Sequence, residues 1–265
     1  MSIFSVTDIE KILQQFIPIT LQEMDSVKLM NRIDTKYVVS LEVLPDILEK
    51  AKDEYFVQDI DGIRLATYDT VYYDTDSLDM YIRHHDRQLV RQKIRVRQYV
   101  DSDLTFLEIK RKNNKGRTKK KRIIVPDFGI TSSTIGHGKE DIAVADFIAA
   151  KSRYTWDDIS PKLRTSFRRI TLVNKAKTER LTIDLALVWE NFVSGISKTY
   201  SDLVIIELKR DGNMLSPMLS IMLSERVRPL KISKYCVGTA ITNPNIKRNR
   251  FKSKIRKIEK IINIE

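Results

Sequence analysis

The sequence predicts an α+β chain, a single mostly β domain with flanking helices. Three observations lead there. Several runs rich in β-branched and aromatic residues alternate polar with apolar side chains at a period of two. Short segments of Asp, Ser, Asn and Gly separate the runs as turns would. Helix-like stretches stand before, between and after them.

In chain order, residues 7–16 read as a short helix closed by Pro18, and 32–39 as a strand. Ser40 is placed to cap a helix running to about residue 52, with Pro45 in its first turn. Residues 63–73 are rich in β-formers and 76–85 read as a short helix. Three strand-like runs follow, 88–100, 104–110 and 118–125. Asp101-Ser102-Asp103 and Asn113-Asn114-Lys115-Gly116 separate them, the signature of an antiparallel meander. Residues 130–138 read as a loop and 140–151 as a helix, with Ile142, Ala145, Phe147 and Ala149 on its apolar side. The same grammar returns in strands 164–173, 180–189 and 203–210, a helix over 215–226 and a short last segment, 231–235. Nothing repeats internally and no linker breaks the composition, so residues 1–246 are expected to form one domain and 247–265 a basic tail.

A hydrophobic fraction of 42% and a charged fraction of 31% fit a globular chain rather than a disordered one. Lys+Arg number 47 against 35 Asp+Glu, a net +12, so nucleic acid, an anionic membrane and free polyphosphate are all compatible partners. The tail holds eight Lys+Arg and two Glu, a net +6 and half the total. Its Ile255, Ile258, Ile261 and Ile262 recur at helical spacing, so it reads as a solvated or membrane-surface helix. Cys236 is the one cysteine, which excludes an intrachain disulfide and a cysteine-rich zinc site; it is read as a packed side chain. A reducing compartment follows, so the location is read as cytoplasmic, with the inner face of a membrane as the alternative. No signal pattern and no window near the ~20 apolar residues of a membrane span is found. A membrane-associated partner stays open, as does the oligomeric state.

Alternation carries the chemistry. Lys93, Arg95 and Arg97 share one strand face, Phe106, Glu108 and Lys110 the next, and Lys120 with Arg122 the third. Later, Thr182 and Asp184 share a face, as do Ile205, Glu207 and Lys209. A solvated sheet face gives the same alternation. Several of these faces are purely cationic, however, and like charges on paired strands repel; an anion between the strands removes that repulsion. His84, His85 and His137 are read as surface residues. The chain has no glycine-rich P-loop, G-x-S-x-G elbow, H-E-x-x-H helix, RNP strand or zinc finger, so no specific nucleic-acid partner is expected.

The ordered series Lys36-Tyr37, Tyr72-Tyr73-Asp74, Tyr81-x-Arg83, Arg95-x-Arg97, Glu108-x-Lys110, Lys120-x-Arg122, Glu207-x-Lys209 and Lys231-Ile232-Ser233-Lys234 resembles the VTC domain. That is the polyphosphate polymerase domain of the vacuolar transporter chaperone family, within the triphosphate tunnel metalloenzymes. The resemblance runs from about Arg32 to Tyr235. It implies a closed antiparallel β-barrel, a triphosphate tunnel with flanking helices and an inward polar face. It also implies phosphate contacts from Lys36, Arg95, Arg97, Lys110, Lys120, Arg122, Arg169 and Lys209. Glu207 would hold Mn²⁺ or Mg²⁺ with Glu108 and Asp184 as helpers. Lys234 would sit at the active centre with Arg95 and Arg97, and Lys231 and Ser233 beside it. Whether Arg168 or its neighbour Arg169 points inward stays open. One departure is Arg32-x-Asp34-x-Lys36 where many tunnel hydrolases carry Glu-x-Glu-x-Lys, which leans away from the thiamine-triphosphatase and adenylate-cyclase-like branches. The implied reaction is transfer of the γ-phosphoryl group of ATP to a polyphosphate chain. The alternatives are a tripolyphosphate hydrolase of the same fold and a non-catalytic polyphosphate or nucleic-acid binding module.

Overall fold

The computed structural model describes residues 5–24, 32–125, 142–212 and 214–262. Along the chain these form α1 (Val6–Leu13), β1 (Ile17–Ile19), α2 (Leu21–Met24), β2 (Arg32–Ser40), α3 (Leu44–Ala51), β3 (Tyr55–Gln58), β4 (Ala66–Asp74) and α4 (Asp79–His85). Then come β5 (Arg91–Tyr99), β6 (Leu104–Lys112), β7 (Thr118–Ile124), α5 (Ile142–Lys151), β8 (Ser160–Asn174) and β9 (Glu179–Asn191). The last are β10 (Ser197–Tyr200), β11 (Leu203–Asp211), α6 (Pro217–Ser224), α7 (Lys234–Thr242) and α8 (Lys252–Ile261).

The main sheet runs β2-β11-β9-β8-β4-β5-β6-β7 with antiparallel neighbours throughout. It curls into a half-barrel. The expected closed barrel is corrected: among the described residues β2 and β7 end the path without pairing with each other, and the outer edge of β2 is met instead by a bridge from Tyr37 to Pro229. Charge gives the physical reason. β7 is almost wholly exposed and carries Lys119, Lys120, Lys121 and Arg122 in succession, while β2 begins with Arg32 and carries Lys36. Joining those edges would set cations opposite cations, and lysines on an edge strand oppose further pairing.

Two apolar layers clothe the convex face. Ile170, Leu172, Leu181, Ile183, Ile206 and Leu208 pack against Ile9 and Leu13 of α1, Ile47 and Leu48 of α3, and Met218 and Met222 of α6. Val71, Ile94, Val96, Leu107 and Ile109 pack against Val144 and Ile148 of α5. Each such side chain, fully buried, is worth ~1.5–3 kcal/mol. The polar members of the same alternating strands are left to the concave face.

The concave face is filled at one end by α7, which the sequence reading leaves as part of a short segment. Seven of its nine residues are buried, so no amphipathic stripe marks it, and β-branched and aromatic residues disguise it. Ser233 caps it, its Oγ accepting the Cys236 N–H at 3.3 Å. Gly238 lets it approach β9: a Cβ there would lie 2.4 Å from Cδ1 of Trp189 and 2.9 Å from Cδ2 of Leu163. Asp74, fully buried, accepts the Met80 and Tyr81 N–H groups at 2.9 Å and the Tyr235 hydroxyl at 2.5 Å, joining the start of α4 to α7.

Other boundaries shift locally. A 3₁₀ turn over Leu41–Val43 precedes α3, and Ser40 makes no side-chain cap. The surface reading of the adjacent histidines is corrected. His85 is 1% exposed, its ring nitrogens 2.7 Å from Asp86 Oδ1 and Asn249 Oδ1. His84 is half-buried, and burial pushes its imidazole down to about 2. His137, the 130–138 loop and the start of the 140–151 helix lie outside the described residues. α8 packs Ile258 and its neighbour Ile262 into the cluster holding Tyr81 and Tyr235. No helix among the described residues is long and apolar enough to cross a membrane.

Candidate functional site

Period two puts the polar side chains of seven strands on the concave face, and the register sets who meets whom. Glu207 on β11 stands between Lys36 of β2 and Thr182 of β9. Its Oε2 lies 3.1 Å from Lys36 Nζ and its Oε1 2.9 Å from Lys209 Nζ. Asp184 on β9 faces Arg169 on β8. It accepts Arg169 Nε at 2.5 Å and Nη2 at 2.9 Å, and also the Lys234 ammonium from the start of α7. Glu108 on β6 accepts Arg95 Nε at 2.7 Å, with Nη2 on the same oxygen, and Lys120 Nζ at 3.1 Å.

Each carboxylate is thus held by two cations. Burial opposes ionisation of Glu108, but Arg95, Arg97 and Lys120 outweigh it and hold the carboxyl well below the usual range. Arg169 and Lys234 do the same for buried Asp184, and Lys36 and Lys209 for Glu207.

The cations are less well matched. Among the described residues Arg97 donates only to the Thr70 hydroxyl, at 3.1 Å, with its guanidinium 5.5 Å from the Tyr68 ring centre and 5.8 Å from that of Phe167. Burial, then Arg95 and Arg169, push it below its ordinary value. Lys110 has no ion-pair partner among the described residues. Arg95 and then burial push its ammonium well down, although Glu108 and Glu207 oppose the shift. Four strands separate Lys110 from Glu207 along the sheet, so their mutual influence registers the curl. Burial pushes Lys234 down to about 8 in spite of Asp184.

The choice between Arg168 and Arg169 is made by the alternation of β8, whose register with β4 is unbroken from Leu163 to Arg169: Phe167 stacks on Tyr68, and Arg169, two residues on, shares its face. Arg168 turns outward and donates to Glu10 of α1 at 2.6 Å, while Arg169 faces Asp184. Lys36, Arg95, Arg97, Lys110, Lys120, Arg169, Lys209 and Lys234 are brought to one concave surface with the three carboxylates. Ser233 is close by, accepting from Lys93 Nζ at 2.7 Å. Lys231 is exposed on the rim, near Lys112 and Lys254, and apart from the carboxylate clusters. Arg122 is exposed and lies 4.3 Å over the Phe106 ring.

Sequence reasoning overlooked Arg180, which shares the Thr182–Asp184 face and pairs with Lys209; extending the alternation by two residues would have found it. It also overlooked the aromatic floor. Tyr68 stacks on Phe167 at 5.4 Å and 10°, and the Arg169 guanidinium sits 4.7 Å over Tyr68. Tyr72 stacks on Tyr235 at 5.0 Å and its hydroxyl is 3.5 Å from Arg95 Nη1.

No group of three His, Cys, Asp or Glu side chains converges as a metal cage among the described residues. The donors present are hard oxygens. Glu207, with Glu108 and Asp184 as further carboxylates, suits a Mg²⁺- or Mn²⁺-type ion that takes one or two protein ligands and completes its shell from phosphate and water. A soft-metal site is excluded by the donor set on this surface.

The fold and these side chains define a class of protein: a curled antiparallel sheet whose concave face presents an excess of cations around a few fully engaged carboxylates. The chain belongs to the VTC domain family, whose profile matches residues 31–243. Among solved structures it is similar to a candidate adenylate cyclase from Bacillus halodurans, at 13% identity and a TM-score of 0.49, over 77% of this chain and 96% of that one. It is also similar to a candidate adenylyl cyclase from Hippeastrum described as having a dominant triphosphatase activity, at 15% identity and a TM-score of 0.49, over 80% and 96%. A candidate adenylate cyclase from Vibrio parahaemolyticus follows at 9% identity and a TM-score of 0.46, over 78% and 97%. No curated protein matches the chain.

Proposed function

We propose that this chain is a divalent-metal-dependent polyphosphate polymerase that transfers the γ-phosphoryl group of ATP to a polyphosphate chain held on the concave face. The observation that carries the reading is the pair of buried Arg97 and half-buried Lys110, two cations without a carboxylate of their own among the described residues, set among further cations. A phosphate chain supplies the missing negative charge, and its regular spacing of oxyanions suits a mixed set of arginine forks and lysine point charges.

In this reading Arg95, Arg97, Lys110, Lys120, Arg169, Lys209 and Lys36 bind and align phosphates, and Lys234 neutralises charge at the reacting centre. Glu207 would hold the metal, and a bound Mg²⁺ or Mn²⁺ would offset charge on the β- and γ-oxygens. A terminal oxyanion of the chain attacks the γ-phosphorus, the bond from that phosphorus to the β-γ bridging oxygen breaks, and ADP leaves. The nucleophile is already charged, so no general base is required. Hydrolysis would need a carboxylate able to take a proton from water. Glu108, Asp184 and Glu207 are each occupied by two cations and held at low pKa, which favours transfer between phosphates.

The test is incubation of the purified chain with ATP and Mn²⁺ or Mg²⁺, with and without a short polyphosphate primer, following chain length and free phosphate. Chain growth with stoichiometric ADP is expected. Free phosphate from tripolyphosphate without growth would assign a hydrolase instead. Tight polyphosphate binding with neither product would leave a binding module.

A further inference from the structure

Along β5, β6 and β7 the concave face changes character in steps. Lys93, Lys110 and Lys120 lie side by side at one level, and Arg95, Glu108 and Arg122 form the next. One level further, Arg97 stands opposite Phe106, and Phe106 opposite Ile124; beyond them Tyr68 pairs with Tyr99 and Tyr99 with Leu104. The lining therefore passes from ammonium groups through ion pairs to an aromatic and aliphatic end. Tyr99 and Phe106 are half-buried with ring centres 5.7 Å apart, and Leu104 and Ile124 are 44% and 69% exposed. Phosphate has no use for such a surface.

We propose that this end is a stacking site for the heteroaromatic base of a nucleoside triphosphate. The inference rests on the polyphosphate reading and assigns the orientation of the donor: base at Tyr99 and Phe106, phosphates directed along the strands past Arg97 toward Arg95 and Lys110. Continuity and charge select this occupant. Arg97 is directly across from Phe106, so one bound molecule that is planar at one end and polyanionic at the other matches both zones. The Arg122 guanidinium, 4.3 Å over Phe106, offers a second flat cationic surface for a base. Inorganic tripolyphosphate would use only the cationic zone.

Calorimetric titration of the full chain with ATP and with tripolyphosphate tests this. Phe106→Ala is expected to lower the ratio of ATP to tripolyphosphate affinity on the order of tenfold, the scale of one lost base–aromatic stack, and Phe106→Trp to restore it. An unchanged ratio in Phe106→Ala overturns the base site and leaves the polyphosphate reading standing. A wild-type chain that binds neither ligand overturns that reading and this one with it. Saturation transfer from protein aromatic protons to the base protons of ATP checks the wild type directly; transfer confined to the ribose overturns the inference whatever the variants do.

Discussion

Asp184→Asn isolates the electrostatic logic of the concave face. The carboxylate is 2% exposed, and its two partners, Arg169 and Lys234, are 15% and 13% exposed. Asparagine keeps the shape but removes the charge, leaving two cations facing each other in a poorly solvated place. Removing one member of a buried ionic cluster costs about 3–5 kcal/mol. For a chain of this size that lowers Tm by roughly 6–20 °C, at ~2–4 °C per kcal/mol. Lys234, already pushed down to about 8 by burial with Asp184 present, would lose its main support and shed its proton more readily. The distinguishing readout comes from ligand. If Arg169 and Lys234 face bound phosphate, tripolyphosphate replaces the missing negative charge and stabilises the variant more than the wild type. The assay is thermal unfolding of both proteins with and without saturating tripolyphosphate. A deficit that is the same in both conditions would refute the reasoning, because it would mean that these cations do not meet the ligand.

Three further expectations follow from named contacts. Arg97→Ala breaks no direct ion pair or hydrogen bond to a carboxylate among the described residues, and Glu108 keeps Arg95 and Lys120, so the fold should survive while turnover falls by about 10²–10³, the scale of one lost donor to developing charge; near-normal turnover in a folded variant would contradict the role. With Lys234 pushed down to about 8, kcat/KM should fall as pH rises through that value, and Lys234→Arg should move the alkaline limb upward. The linked stability runs the other way: the burial penalty on charged Lys234 is full below about 8 and is relieved as pH rises toward the ordinary 10.5. Gly238→Ala should destabilise by about 1–3 kcal/mol through overpacking on Trp189 and Leu163, read as a lower denaturation midpoint with an unchanged slope.

How far the site was legible depended on the strand. Arg95, Arg97, Glu108, Lys110 and Lys120 lie in a meander of consecutive strands, so alternation alone placed them on one face and the structure pairs them there. Glu207 and Lys209 were found in the same way, yet their closeness to Lys36 depends on β11 pairing with β2, across most of the chain's length. His85 was misread because a short helix buries it against Asn249 of the C-terminal segment, a contact with no local trace.

What the sequence by itself determined was the polarity of each strand, because side chains alternate by covalent geometry whatever the neighbours are. It determined the family as well, through an ordered series of dipeptides spread over strands. Tertiary structure decided the rest. A bulge in β9, with its extra residue near Ala186 at φ 52°, let Leu187 and Trp189 share a face with Asp184 and Thr182, a change of parity that strict alternation does not foresee. Burial on all sides made 234–242 a helix against its own β-like composition, since packing overrides weak propensity. The sheet stayed open because the cations of β7 oppose pairing at that edge, while the outer edge of β2 is met by the Tyr37–Pro229 bridge, a contact between residues far apart in the chain.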